Sequence, residues 1–290
     1  MMQRVWMGAV FSGLLVGGAS LWAQGSPAWE KSYTVSGKPV LALEVSDSGM
    51  TVRSCGDCRA VHVRVEMTGA KLSDYVLEES QSGNTIHFSL KERTHVGFHI
   101  EMRSQSVKVL VETPANVTLE GRSSDGSMSV RGLQGEITLA SSDGSLDVED
   151  VSGNLKLRTS DGSLRVRGGG GRLEARSSDG SQDIAGSFES WQVASSDGSL
   201  KVELLPGTKL REPSTVESKD GSLTMQVPRE LAAEFDVQTR DGGLQSNLPL
   251  TTSGYDSRDE HGHAVHGKMN GGGPLMSVRS SDGSVRVGTS

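Results

Sequence analysis

The sequence predicts an all-β protein that winds as a parallel β-helix or β-solenoid, with coils of about 18 residues and a less regular β region at its N-terminal end. Three observations predict this fold. A five-residue turn motif returns at a fixed period. Each period contains two short stretches in which apolar and polar residues alternate. No stretch shows the helical period of about 3.6 residues.

The turn motif is Ser-Ser-Asp-Gly-Ser, first seen at Ser123–Ser127. Its aspartates recur in exact or near copies, first at one constant interval and then at longer, unequal ones. The regularly spaced aspartates are Asp125, Asp143, Asp161, Asp179 and Asp197, and the later ones are Asp220, Asp241 and Asp282. A constant period of this length indicates a repeat architecture, in which neighbouring repeats bury each other's apolar faces.

Each repeat holds two short predicted strands. One follows the motif, as at Leu146–Val148, and the other follows a glycine-bearing turn, as at Leu155–Leu157. Alternation with a period of two places one set of side chains inward and the other in solvent. The predicted inward columns are Leu146/Leu164/Leu200, Val148/Val166/Ile184/Val202, Leu155/Leu173/Trp191 and Leu157/Ala175/Val193. Val216 is expected to continue the column of Val193, Phe235 and Val237 to fill the next coil after it, and Val285 and Val287 to close the chain.

The outward residues indicate how the repeats stack. From one repeat to the next the charge at an equivalent position alternates in sign, as in Asp147, Arg165, Asp183 and Lys201. Opposite charges on neighbouring strands stabilise a sheet by roughly 0.2–1 kcal/mol per pair. In-register parallel stacking pairs these charges, whereas a hairpin meander would pair other columns. The alternation therefore favours parallel coils.

The Asp-Gly pair of the motif is typical of turns with positive φ, and the aspartate can hydrogen-bond the backbone two residues on. Stacking the turns makes a ladder from Asp125, Asp143, Asp161, Asp179 and Asp197, whose like charges repel. A bound cation would relieve the repulsion, so calcium is one hypothesis for these aspartates. The other, which we favour, is a purely structural turn, because calcium-binding β-rolls place acidic turns about every nine residues.

The chain divides into three predicted parts. Residues 1–23 resemble a secretory signal peptide, with Arg4 before the apolar stretch Val5–Leu21, and an uncleaved membrane anchor is the alternative. Residues 24–113 form the irregular N-terminal β region, as first coils or as a small sandwich, and residues 114–290 form the regular repeats. The formal charge of −7 argues against nucleic acid and anionic membranes as partners. No membrane span is expected once the signal is removed.

The two cysteines, Cys55 and Cys58, lie in a short turn between two predicted strands. In an exported protein a disulfide is the expected state of such a pair. Redox-active pairs usually open a helix, which lowers the thiol pKa. A structural disulfide is therefore favoured over a metal site or a redox site.

A second polar cluster contains His261, His263 and His266, preceded by an aspartate and a glutamate. Three imidazoles so close in sequence are able to bind zinc or nickel. A solvated polar loop is the simpler interpretation, and we favour it.

The predicted last coil leaves open strand edges at Val285–Val287, with no evident cap. Either residues 251–273 fold over this edge or the ends of two molecules associate. End-to-end self-association is therefore a further expectation.

Three stretches make the sequence similar to the DUF4097 family, whose members are also labelled adhesins. They are Val107–Gly126, the recurring Ser-Ser-Asp-Gly-Ser units with their strands, and the closing segment from Gly267 to Val287. The resemblance covers roughly residues 35–290. It implies a bacterial parallel β-helix that is exported, whether periplasmic, cell-surface or secreted, and it brings no catalytic residues.

Three functions are compatible with these features. The favoured one is a non-enzymatic adhesin-like or cell-envelope scaffold protein that binds an envelope polymer or protein. A calcium-binding β-roll-like protein is the first alternative. A β-helical polysaccharide-degrading enzyme is less favoured, because the equivalent environments of the ladder carboxylates give none of them a distinct pKa.

Overall fold

The computed structural model describes residues 27–93, 105–251 and 263–290, and the predicted signal peptide 1–23 lies outside them. The prediction of an all-β protein is confirmed. The described residues form strands of one continuous sheet, and the single helical element among them is a 3₁₀ turn at Leu72–Asp74.

The strands are numbered in chain order. The first seven are β1 (Trp29–Thr34), β2 (Val40–Val45), β3 (Gly49–Ser54), β4 (Ala60–Thr68), β5 (Tyr75–Ser82), β6 (Thr85–Glu92) and β7 (Ser106–Thr113). The next eight are β8 (Asn116–Ser123), β9 (Met128–Arg131), β10 (Gln134–Ser141), β11 (Leu146–Glu149), β12 (Ser152–Thr159), β13 (Leu164–Ser177), β14 (Gln182–Ser195) and β15 (Leu200–Leu204). The last seven are β16 (Ser214–Ser218), β17 (Leu223–Val227), β18 (Ala233–Thr239), β19 (Leu244–Ser246), β20 (His263–Met269), β21 (Leu275–Ser280) and β22 (Val285–Thr289).

The repeating unit is a strand, a corner formed by the Ser-Ser-Asp-Gly-Ser motif, and a second strand; we call this unit a rung. Strands before the corner make the first wall and strands after it make the second wall. In the middle of the chain, equivalent strands of successive rungs are parallel and in register, so each residue lies beside its counterpart one repeat later. Asp147 lies beside Arg165, and Arg165 lies beside Asp183, as the alternating charges predict.

The core is the space between the two walls. The predicted inward columns are buried, with exposed fractions of at most 2% from Leu146 to Val202. The registers Leu155 to Leu173 and Leu173 to Trp191 confirm the column assignment. Trp191 packs edge-on against Phe188 with ring centroids 5.1 Å apart, and its indole N–H donates to the Phe188 carbonyl. Phe188 lies beside Gly171 of the preceding rung.

At the N-terminal end, the order of rungs differs from the order of the chain. Strand β2 pairs in parallel with both β6 and β8, and β3 pairs in parallel with both β7 and β9. The rung of β2 and β3 therefore lies between the rung of β6 and β7 and the regular stack. The N-terminal region continues the same two walls.

The C-terminal end shows the same departure. Strand β21 lies between β16 and β18, and β22 lies between β17 and β19. The expectation that Val285 and Val287 form a terminal open edge is wrong, because they belong to the second-last rung. Phe235 and Val237 fill the rung beyond it, and they pair with Met276 and Val278.

Antiparallel strands cover edges at both ends of the stack. At the N-terminal end, β5 pairs with β6, and β4 pairs with β7 on one side and β1 on the other. At the C-terminal end, β20 pairs with β18. An antiparallel partner satisfies the backbone groups that an edge strand otherwise exposes. The argument for end-to-end association from an open edge at Val285–Val287 therefore loses its basis.

Candidate functional site

The corner motif builds one continuous edge of the molecule. Its first hydroxyl residue is buried and closes the turn, as where the Ser177 hydroxyl donates to the Gly180 carbonyl at 3.1 Å. The aspartate N–H donates to the rung before it, as from Asp161 to the Ser142 carbonyl at 3.0 Å. The last serine faces solvent, and the hydroxyls of Ser145 and Ser163 are 3.0 Å apart. Each corner is thus bonded both internally and to its neighbour.

The corner glycines are required by close stacking. A Cβ atom on Gly162 would lie 2.3 Å from the Gly144 carbonyl oxygen, and one on Gly180 would lie 2.0 Å from that of Gly162. Real Cβ atoms essentially never come within 3.0 Å of another group. The φ angles of these glycines lie outside the positive region, which other glycines such as Gly168 do occupy. The positive-φ explanation of Asp-Gly is therefore wrong at these corners.

The stacked corners carry a ladder of nine aspartates among the described residues. In spatial order they are Asp47, Asp125, Asp143, Asp161, Asp179, Asp197, Asp220, Asp282 and Asp241. Sequence reasoning missed Asp47, which lies in Ser46-Asp-Ser-Gly49, a turn that lacks the full motif. It also missed that Asp282 comes before Asp241 in spatial order. That order arises because the rung of β21 and β22 lies between two rungs that come earlier in the chain.

Crowding along the ladder raises the pKa of several members. A hydrogen bond with Asp47 is the largest cause for Asp125, partial desolvation is the largest for Asp161, and a hydrogen bond with Asp220 is the largest for both Asp197 and Asp282. The charges of neighbouring ladder carboxylates raise the pKa of each further. These four aspartates therefore bind a proton more readily than ordinary surface aspartates.

The sign of the pH effect follows from these raised values. An aspartate of the unfolded chain has a pKa near 3.9. Because the folded-state pKa of these four aspartates is higher, their contribution to stability is fully present below the unfolded value and is lost as pH rises through the folded values. At neutral pH the ladder opposes folding, and the corner hydrogen bonds and the core offset that repulsion.

Calcium stays a prediction for this ladder. Calcium takes about six to eight oxygen ligands, usually several of them from carboxylates around one ion. Within the described ranges, no group of three His, Cys, Asp or Glu side chains converges as a metal site. The ladder presents one carboxylate per rung along a line.

Both walls present alternating charges to solvent. Arg131 pairs with Glu149 at 3.2 Å between adjacent rungs, and Arg167 pairs with Asp183. The second contact lowers the pKa of Asp183 through a hydrogen bond from the guanidinium. The walls are thus mosaics of paired charges.

Of the three candidate histidine ligands, His261 lies outside the described residues. His263 and His266 belong to β20, where His263 lies beside Thr239 and His266 beside Asp236. The His266 Nδ1 atom is 2.8 Å from a carboxylate oxygen of Asp236. Two residues three positions apart in a strand face opposite sides, so the imidazoles of His263 and His266 do not point to a common site.

The two cysteines lie where β3 ends and β4 begins, with no helix beside them among the described residues. The Cys55 and Cys58 sulfurs are at bonding distance and their Cα atoms are 5.8 Å apart, within the usual range of disulfides. The pair closes a turn of the second wall.

The fold and the corners together define an all-β repeat protein of β-solenoid type. The sequence matches the family described as Toastrack DUF4097 over residues 41–288, and the chain belongs to that family. A comparison with curated proteins finds no match. No helix within the described ranges is long and apolar enough to cross a membrane.

Two solved structures are similar to this chain over most of its length. One is a "putative cell adhesion protein" from Clostridium sporogenes, with 10% identity, a TM-score of 0.30, and coverage of 91% of this chain and 100% of that one. The other is a "putative adhesin" from Bacteroides fragilis, with 9% identity, a TM-score of 0.37, and coverage of 90% and 96%.

Proposed function

We propose that the chain is an exported, non-enzymatic β-solenoid with coils of about 18 residues, and that it acts as an adhesin-like binding or scaffold protein of the cell envelope. The observation that carries this proposal is the repetition of one outward surface at strand spacing. The same corner, with the aspartate N–H bonded to the neighbouring rung, recurs along the stack from Asp125 to Asp241. Membership of the Toastrack DUF4097 family supports the β-solenoid part of the proposal.

A surface of this kind suits an extended partner. Equivalent side chains recur about every 4.7–4.9 Å along the stack, the spacing of neighbouring strands. A polymer or an extended protein segment lying along a wall meets the same chemistry at each step. Stacked repeats use extended faces in this way in other solenoid proteins.

Degradation of a polysaccharide has less support. Such enzymes pair two carboxylates, one of them with a raised pKa. A cavity of about 560 Å³ near the N-terminal end is lined by four glutamates, Glu44, Glu78, Glu79 and Glu120. Two of these are engaged, since Lys91 pairs with Glu44 at 2.9 Å and Arg122 pairs with Glu120. A third is Glu79, where a hydrogen bond from Lys31 lowers the pKa, and a carboxylate held in its charged form is unsuited to act as a general acid.

The proposal is tested by co-sedimentation of purified residues 24–290 with the insoluble envelope of the producing bacterium. We expect the protein to pellet with the envelope and to stay in solution without it. Prior digestion of the envelope with a protease or with glycan hydrolases identifies the partner as protein or polysaccharide. A protein that stays in the supernatant at all salt concentrations would refute an envelope-binding role.

A calcium-dependent form of this function is tested separately, by thermal unfolding with EDTA and with millimolar calcium. We expect no change, because hydrogen bonds within each corner and between neighbouring corners already connect the rungs, and one carboxylate per rung does not surround an ion. A rise of several degrees with calcium would show instead that the aspartate ladder binds ions.

A further inference from the structure

A concave surface lies on the outside of the first wall, across the last rungs of the stack. Its volume is about 480 Å³, and it is lined by residues of four neighbouring rungs. Three of the lining side chains are cations, Lys219, Arg240 and Arg279. Most of the others carry hydroxyl or amide groups. In a chain with a formal charge of −7, this is a local concentration of positive charge.

The basic residues replace serine at a fixed position of the repeat. The residue just before the ladder aspartate is serine in most rungs, namely Ser46, Ser124, Ser142, Ser160, Ser178, Ser196 and Ser281. It becomes Lys219 and Arg240 in two rungs near the C-terminal end. The corner geometry does not require this change, because serine builds the same corner elsewhere.

The unusual order of the rungs brings the three cations together. The inserted rung of β21 and β22 lies between the rung of Lys219 and the rung of Arg240. That inserted rung contributes Arg279, which lies beside Glu217 on one side and Gln238 on the other. A cluster assembled from residues 219, 240 and 279 is therefore a product of the fold and is invisible as a sequence motif.

These cations are weakly engaged within the protein. The Lys219 Nζ atom is 3.8 Å from a carboxylate oxygen of Asp220, and the Arg279 guanidinium is 3.6 Å from Asp236. Charge-assisted hydrogen bonds are about 2.7–2.9 Å long. Asp236 also accepts a hydrogen bond from Gln238 at 2.7 Å. All three cationic side chains are exposed and able to reach a ligand.

One acid, Glu217, also lines the surface, so the cations exceed it by two charges. The ladder carboxylates that follow Lys219 and Arg240 repel further negative charge along the edge. The site is therefore suited to a single oxyanion and unsuited to a dense run of them. Arginine binds planar or tetrahedral oxyanions through two parallel N–H donors, which favours such a ligand here.

We propose that Lys219, Arg240 and Arg279 bind one oxyanion of an acidic sugar, such as the carboxylate of a uronic acid in an envelope glycan. This inference rests on the proposed envelope-binding function and specifies its ligand. Ser281 and Gln238 offer donors and acceptors for the sugar hydroxyls. The exposed large hydrophobic residues of the described chain, Val40, Val76 and Leu275, are absent from the lining, which disfavours a lipid surface.

The test is an NMR titration of purified residues 24–290 with galacturonate, inorganic phosphate and glucose as separate probes. The test variant is the double change Lys219→Ser and Arg240→Ser, which restores the serine of the other rungs and should fold normally. The matched control is Lys201→Ser, which removes an exposed cation of the second wall outside the cavity.

We expect galacturonate to shift the amide signals of residues 219, 240 and 279 with millimolar affinity, and glucose to leave them unmoved. The double variant should weaken binding at least tenfold, and the control by less than twofold. Equal binding by the double variant, or no shift with galacturonate, overturns the site. If phosphate binds and galacturonate does not, the assignment of the ligand as an acidic sugar is wrong. If the double variant co-sediments with the envelope as well as the wild type does, this inference is refuted while the proposed function stands.

Discussion

Replacing a corner glycine tests why the repeats have the sequence they do. In Gly162→Ala the new Cβ would lie 2.3 Å from the Gly144 carbonyl oxygen and 2.9 Å from the Asp143 carbonyl oxygen. Both are backbone atoms bonded into the neighbouring rung, so no flexible side chain can move aside. To reach 3.0 Å, the shortest contact that real Cβ atoms make, the two rungs must move apart.

The cost of this separation is estimated from overpacked cores, where inserted atoms destabilise by about 1–3 kcal/mol. Because backbone must move, we expect a value near the upper end of that range, about 2–3 kcal/mol. For a domain of this size, that corresponds to a fall in melting temperature of about 5–10 °C. Thermal unfolding followed by circular dichroism measures it.

The matched control is Gly243→Ala, in the corner of the last rung, where nothing lies within 4 Å of the added Cβ and φ is outside the positive region. It should change stability by no more than about 0.5 kcal/mol, or stabilise slightly. Gly162→Asn adds a further distinction, because asparagine tolerates positive φ but carries a Cβ. We expect it to be at least as destabilising as alanine. An alanine variant as stable as the wild type, or an asparagine variant more stable than the alanine one, would refute the stacking explanation.

Three further predictions concern the core, the walls and the ladder. Trp191→Ala removes a fully buried indole and should cost about 3–5 kcal/mol, measured by urea unfolding; a loss below about 1 kcal/mol would contradict its place in the core. Glu149→Lys places a cation between Arg131 and Arg167, and should destabilise by about 1 kcal/mol at low salt and less at high salt, whereas salt independence would argue against in-register pairing. Asp161→Asn should flatten the rise in melting temperature that we expect as pH falls from 7 towards about 4; an unchanged slope would show that the ladder does not control it.

Much of the fold could be predicted from the sequence because each repeat carries two independent signals. Alternation within a repeat identifies the buried columns, such as Val148 and Val166. Charge alternation between repeats identifies the register, as between Asp147 and Arg165. Both signals are local or periodic, so they can be recognised in the sequence without knowing which residues are neighbours in space.

The order of the rungs could not be predicted in the same way. Successive elements are usually neighbours in space, and that rule assigned Phe235 to the rung after Val216. The structure places the rung of Met276 and Val278 between them. The positions of Asp47 and Asp282 in the ladder depend on two rungs that lie out of chain order, the rung of β2 and β3 and the rung of β21 and β22.

The same distinction applies to the candidate sites: those with a sequence pattern could be predicted, and those assembled by the fold could not. The ladder was predictable because its members share a motif, and the disulfide pairing because Cys55 and Cys58 are close in sequence. The basic surface was missed because Lys219, Arg240 and Arg279 converge only through the inserted rung. The reason for the corner glycines was also missed, because a clash with the neighbouring rung is a property of stacking and not of the turn.

The most direct test of an exported envelope protein is cell fractionation of the producing bacterium combined with intact-mass measurement of the full-length gene product. We expect the protein to be found with the envelope or outside the cell, with a mass that lacks residues 1–23. Full-length protein confined to the cytoplasm would show that the protein is not exported, and the repeating surface would then need a different partner.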